Sequence, residues 1–193
     1  MELRARQAGQ DYTVAGACIV LADKPVSSET KLPPDVTKNY RGTASQAYDQ
    51  VLFHGALLQG LTEITTCGPN DAESRATCHN NPHAFMAYPL RSSFLTEPLA
   101  VDCAFQLASL WSFENCKTVS LPCDFGKMQF YGKFKAESEI RIILNVTSVK
   151  GQIMKGDFIF CNDEAVIAEI KDFSAVMNQS LNRAFKPHLK IAV

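Results

Sequence analysis

Residues 101–112, VDCAFQLASLWS, most limit what this chain can fold into. The run predicts a helix over about 100–113, and its apolar side chains fall on nearly every side, so it needs cover around most of its circumference. An antiparallel sheet curved around the helix would supply that cover, an α+β arrangement. TVSLPCDFGKMQFYGKF, SEIRIILNVTSVKG, QIMKGDFIFCNDE and AVIAEIKDFSAV are strand-length runs with partial alternation. Turn signals at Lys150-Gly151 and Asn162-Asp163 separate the last three, which predicts a meander. Residues 62–66 and 73–78 read as a hairpin about Gly68-Pro69-Asn70-Asp71. Residues 12–22, YTVAGACIVLA, read as a leading strand. In 50–61, QVLFHGALLQGL, Gly55 separates a strand-like half from a helix-like half.

Between these runs lie weakly patterned segments. Residues 26–47 are expected to be a surface connection, 79–100 a proline-punctuated loop, and 178–193 a surface tail. A length of 193 residues fits one domain, taken as 1–193. The net charge of −1 argues against nucleic acid or an anionic membrane as partner. No apolar run approaches the roughly 20 residues of a membrane helix. The first dozen residues, MELRARQAGQDY, have no apolar signal-peptide region, so a cytoplasmic location is expected. Seven cysteines lack metal-site spacing and mostly adjoin apolar residues, which predicts reduced, buried thiols.

Asp102 is the one carboxylate of the apolar run and is expected in the first turn of its helix. There an aspartate often caps orphan backbone N–H groups. Gln106, one turn on, shares its face and is placed to hold the carboxyl or a substrate hydroxyl. His79 and His83 fall in the polar loop and His188 in the tail, and none has a partner set for a metal. No metal and no cofactor are assigned.

Three blocks carry a resemblance: Tyr48–Gln59 (YDQVLFHGALLQ), Glu97–Trp111 (EPLAVDCAFQLASLW) and Ser120–Tyr131 (SLPCDFGKMQFY). In this order they resemble the signatures of polyketide synthase dehydratase domains, nearest to those of polyunsaturated fatty acid and enediyne type synthases. The first block of that family reads Phe-His-Gly-Pro-x-Phe-Gln, the second has a D-x-x-x-Q core, and the third opens on Leu-Pro. Here Ala56 replaces the proline and Leu58 the aromatic. The resemblance implies a hotdog fold, a sheet wrapped around one long helix, and matches the second, Asp-bearing half of a double hotdog. The catalytic-histidine segment of the first half, His-x-x-x-Gly-x-x-x-x-Pro, does not occur.

By resemblance, Asp102 is the general acid of 3-hydroxyacyl-thioester dehydration and Gln106 its orienting partner. Tyr48, Phe53, His54, Gly55, Gln59, Leu121 and Pro122 would line the substrate tunnel. The substrate would arrive on acyl carrier protein, and another hotdog unit, in a homodimer or a paired domain, would bring the base. A carboxyl suits the acid role where desolvation keeps it protonated, although a helix N-terminus favours the ionised form. Two further functions fit the same fold: a non-catalytic acyl-binding or assembly domain, and a hotdog thioesterase.

Overall fold

The structure is a computed structural model describing residues 2–7, 10–21, 26–79, 81–94 and 96–185. One helix, α2 (Pro98–Cys116), lies against a seven-stranded antiparallel sheet. The sheet order is β3 (Leu61–Cys67), β4 (Asp71–Cys78), β7 (Ser138–Lys150), β8 (Ile153–Cys161), β9 (Val166–Met177) and β5 (Ser120–Asp124), with β6 (Lys127–Phe130) also paired to β9. The expected hairpin is β3–β4 and the expected meander is β7–β8–β9.

Period-2 alternation decides which side of each strand meets the helix. Ala72, Ser74 and Ala76 of β4, Ile140, Ile142 and Leu144 of β7, and Ala168 and Ile170 of β9 are buried in the core. They pack with Leu99, Cys103, Leu107, Leu110 and Trp111 of α2. Intervening residues point to the opposite face, where Ile143, Ile159, Cys161 and Val166 form a smaller cluster. The β7–β8 turn needs its glycine, because Gly151 has a φ of 59°. The β8–β9 turn is closed by Asn162, whose Oδ1 accepts from the backbone N–H groups of Glu164 and Ala165.

The segment 26–42 crosses that opposite face as the expected irregular connection, yet it is fastened at several points. Thr30 donates through its hydroxyl to Glu169 (2.7 Å). Arg141, paired with Glu73, donates to the carbonyls of Pro33 and Pro34. The backbone N–H groups of Asn39 and Tyr40 both donate to Thr65 O on β3.

The structure corrects five expectations. The leading strand is shorter: β2 (Gln10–Gly16) pairs only with β1 (Glu2–Gln7), in a separate two-stranded sheet, and Ile19, Val20 and Leu21 are exposed. The surface connection ends early, because α1 (Ala44–Gln50) begins inside it, started by a capping box between Thr43 and Gln46. Residues 51–55 form no strand, and Ala56–Leu58 make one 3-10 turn. The described part of the tail is partly helical, α3 (Gln179–Phe185), and Asn182 is fully buried, accepting from Val119 N and donating to Lys117 O. Only Cys78, Cys103 and Cys161 are buried, whereas Cys18 and Cys123 are exposed. No helix among the described residues is long and apolar enough to cross a membrane.

Candidate active site

α2 starts earlier than its apolar run suggests. Pro98 takes the first helical position, where its missing N–H costs nothing, and Glu97 occupies the N-cap. Asp102 therefore sits in the second turn, and the capping role weighed for it does not apply. Its Oδ2 accepts instead from Gln106 Nε2 at 2.6 Å, one turn along the same face.

Gln106 is fully buried and its amide has a single workable orientation. The Tyr48 hydroxyl donates to Gln106 Oε1 (2.6 Å), which leaves both Nε2 hydrogens for Asp102 and for the carbonyl of Leu58 (2.7 Å). The Tyr48 oxygen in turn accepts from Leu61 N–H (2.9 Å). A chain of donors thus runs from the first residue of β3 through Tyr48 and Gln106 to the Asp102 carboxylate. Tyr48, expected as a tunnel-lining residue, is buried and spends its hydroxyl on Gln106 and Leu61. Burial pushes its phenol far above the ordinary range, so it stays protonated and keeps donating. Tyr48→Phe is expected to destabilise the fold by about 2 kcal/mol, because Leu61 N–H and Gln106 Oε1 both lose a buried partner. A shift in urea midpoint at unchanged slope checks this.

The loop after α1 brings a histidine to the same carboxylate. His54 Nε2 is 3.7 Å from Asp102 Oδ2 within one chain, with side chains 9% and 35% exposed respectively. Burial lowers the imidazole pKa, opposed by the negative charge of Asp102. The ring stacks on Phe53 with centroids 4.3 Å apart, and Nδ1 is buried with no hydrogen-bond partner among the described residues. Gln59 Nε2 donates to the His54 carbonyl (2.9 Å), which ties the two ends of the loop together. Gly60 lets this loop lie on α2, since a β-carbon there would meet Cys103 Sγ at 2.7 Å and Leu99 Cγ at 2.8 Å. No such crowding exists at Gly55, which is exposed at the start of the 3-10 turn.

Phe53, Leu57 and Leu58 are all substantially exposed, giving the loop an apolar outer surface. The Asp102 side chain beside this loop is part-exposed, so its carboxyl is open to solvent. A separate cleft of about 480 Å³ lies at the other end of α2, between Tyr40, Cys67, Phe113 and Glu114. Leu121 and Pro122 are not brought to Asp102. Ser120, just before them, bonds to Ser109 and Ser112, which stand roughly 10–15 Å along the helix axis from Asp102 at 1.5 Å per residue. His79 and His83 are exposed on their loop, and His188 lies outside the described residues.

Sequence reasoning missed the role of Tyr48, the closeness of His54 to Asp102, and the helix presenting Tyr48. The Thr43-x-x-Gln46 capping box was the available signal for that helix.

Comparison with solved structures finds a similar fold in several of them. The chain is similar to the dehydratase heterocomplex ApeI:P from Xenorhabdus doucetiae (12% identity, TM-score 0.57, covering 75% of this chain and 97% of that one). It is similar to the dehydratase domain of PpsC from Mycobacterium tuberculosis, solved with C12:1-CoA (15% identity, TM-score 0.55, 78% and 56%). A trans-acyltransferase polyketide synthase enoyl-isomerase also matches (14% identity, TM-score 0.56, 90% and 66%). In three dehydratase structures this chain spans between 46% and 56% of the matched chain, about half its length. At these identities the likeness establishes the hotdog fold. No curated protein matches the chain. Residues 26–182, which leave out the β1–β2 hairpin, match the family described as the polyketide synthase dehydratase N-terminal domain, although the D-x-x-x-Q helix resembles the second half of such dehydratases. By that match over most of its length, this chain belongs to the polyketide synthase dehydratase family.

Proposed function

We propose that this chain is the Asp-bearing hotdog of a dehydratase that removes water from 3-hydroxyacyl thioesters carried on acyl carrier protein. The observation that supports this reading best is the Asp102 carboxyl, fixed by Gln106 on the central helix and open to solvent. Elimination needs a base for the α-proton and an acid for the departing β-hydroxyl, and Asp102 takes the second task. The thioester acidifies the α-proton, so no cofactor is called for. The apolar surface of Phe53, Leu57 and Leu58 beside the carboxyl suits an acyl chain or a second hotdog unit. The resemblance assigns the base to such a unit, in a homodimer or a paired domain.

The half-length match favours a second reading, a binding or assembly hotdog without turnover of its own. One assay separates them. The purified chain is incubated with a 3-hydroxyacyl pantetheine thioester, and the enoyl product and free acid are followed by mass spectrometry. Enoyl thioester supports the dehydratase. Free acid without enoyl product points to a thioesterase. Neither product, with or without an added second hotdog, leaves the binding module.

A further inference from the structure

We infer that Phe105 selects acyl groups by length, its ring ending the path of an alkyl tail that starts at Asp102. The inference rests on the acyl-thioester ligand of the reading above and names the residue that discriminates among such ligands.

Between residues 99 and 112, α2 is open to solvent in one place. Val101, Asp102 and Phe105 are part-exposed, and every other residue of that stretch is buried. Spacings of three and four put Phe105 on the same face as Asp102 and Val101, within about 5.4 Å of helix rise. Positions that continue this face are Ala108, Ser109 and Ser112, and all three are buried. The opening therefore runs from the carboxyl to the Phe105 ring and stops there.

The ring is not free to yield. It stacks on Phe173 of β9 with centroids 5.4 Å apart and planes inclined by 10°. It also meets Phe158 of β8 edge-on, at 6.3 Å and 69°. Phe158 and Phe173 touch each other at 5.0 Å, and both are buried. Three rings in mutual contact within a close-packed core hold Phe105 in one position, because there is no void to receive a displaced ring. An alkyl tail laid along the opening covers the exposed ring surface, and each methylene that leaves water adds affinity. Once the tail reaches the end of the opening, further methylenes stay in water and affinity stops rising.

The test reads binding and turnover separately on the full protein. Saturated acyl pantetheine thioesters of increasing straight-chain length lack the 3-hydroxyl and cannot lose water, so calorimetric titration reports binding alone. Affinity is expected to rise with length and then level off. Phe105→Ala opens the space in front of Phe158 and Phe173 and should move the levelling point to longer tails. The long-to-short affinity ratio should rise roughly 10–200-fold, the scale on which a hydrophobic pocket discriminates one methylene. Phe105→Leu keeps more of the side-chain volume and should shift the profile in the same direction by less. Melting curves report folding, and the leucine variant decides the matter if the alanine variant is unfolded. A length profile of unchanged shape, displaced only in overall affinity, would give Phe105 a structural role and overturn the inference. Absence of binding by the wild type at every length would overturn it too. Water loss from the matching 3-hydroxyacyl thioesters is followed on the same samples. Length selection that depends on Phe105 without water loss, alone or with a second hotdog, overturns the dehydratase reading and leaves the inference standing. Water loss with a length profile indifferent to Phe105 does the reverse.

Discussion

Asp102→Asn is expected to slow water loss roughly 10²–10⁴-fold, the contribution of one well-placed general acid. The substitution is close to isosteric, and the local hydrogen bonds dictate how the new amide sits. Gln106 Nε2 is committed to donating because Tyr48 fixes Oε1 as an acceptor. The asparagine must therefore place its own oxygen where Oδ2 was, and its NH₂ group takes the other position. That group can donate a hydrogen bond to a β-hydroxyl but cannot release a proton to it. Binding should thus survive while the chemical step fails, so kcat falls with little change in KM. Stability should change little, as the Gln106 bond is kept and the side chain is part-exposed. Steady-state rates and thermal melts on the same preparations check both halves. A variant keeping more than about a tenth of the wild-type rate would remove Asp102 from the acid's role.

How much of this could be read beforehand differs from residue to residue. The central helix was legible because a run apolar on all sides has one physical solution, burial under a wrapped sheet. Its start was placed two residues late, since Pro98 reads equally well as the end of a loop or the first helical residue. The i, i+4 spacing of Asp102 and Gln106 put them on one face, and they do touch. Tyr48 and His54 show the limit of such reasoning. Both come from segments remote from Asp102 in sequence, and only the packing of α1 and its following loop on α2 brings them near. Asn182 is a similar case: a polar residue in a segment without periodicity, buried because it satisfies the backbone between α2 and β5. Leu121 and Pro122 follow Ser120, which bonds to α2 further along than Asp102, a position that a shared motif does not fix.

Arg141→Met is expected to destabilise the protein by about 3–5 kcal/mol, the usual cost of leaving one partner of a buried ion pair behind. The charge sits in the middle of SEIRIILNV, where alternation sends its neighbours Ile140 and Ile142 into the core. Its side chain is only 3% exposed on the opposite face, and Glu73, from β4, only 8%. Four guanidinium hydrogen bonds and one further ion pair hold the charge. Nε and one terminal nitrogen bind the two Glu73 oxygens at 3.1 Å each. The remaining three reach Pro33 O (3.1 Å), Pro34 O (2.9 Å) and Asp35 Oδ1 (3.0 Å). Burial alone would lower the guanidinium pKa, and Glu73 more than reverses that. Methionine satisfies none of these acceptors, and the Glu73 carboxylate would be buried uncompensated. The double replacement Arg141→Met with Glu73→Leu should return to roughly wild-type stability, because hydrophobic pairs often match buried ion pairs. Pro34 is exposed and Pro33 half-buried, so water can serve the carbonyls that lose their donors. Arg141→Lys should fall between the two, since an ammonium supplies three donors and no fork. Urea midpoints of the wild type, Arg141→Met, Glu73→Leu alone and the double replacement read this as a double-mutant cycle. Equal losses in the single and double variants would instead locate the stabilisation in the fastening of residues 33–35, and proteolysis there would rise in both.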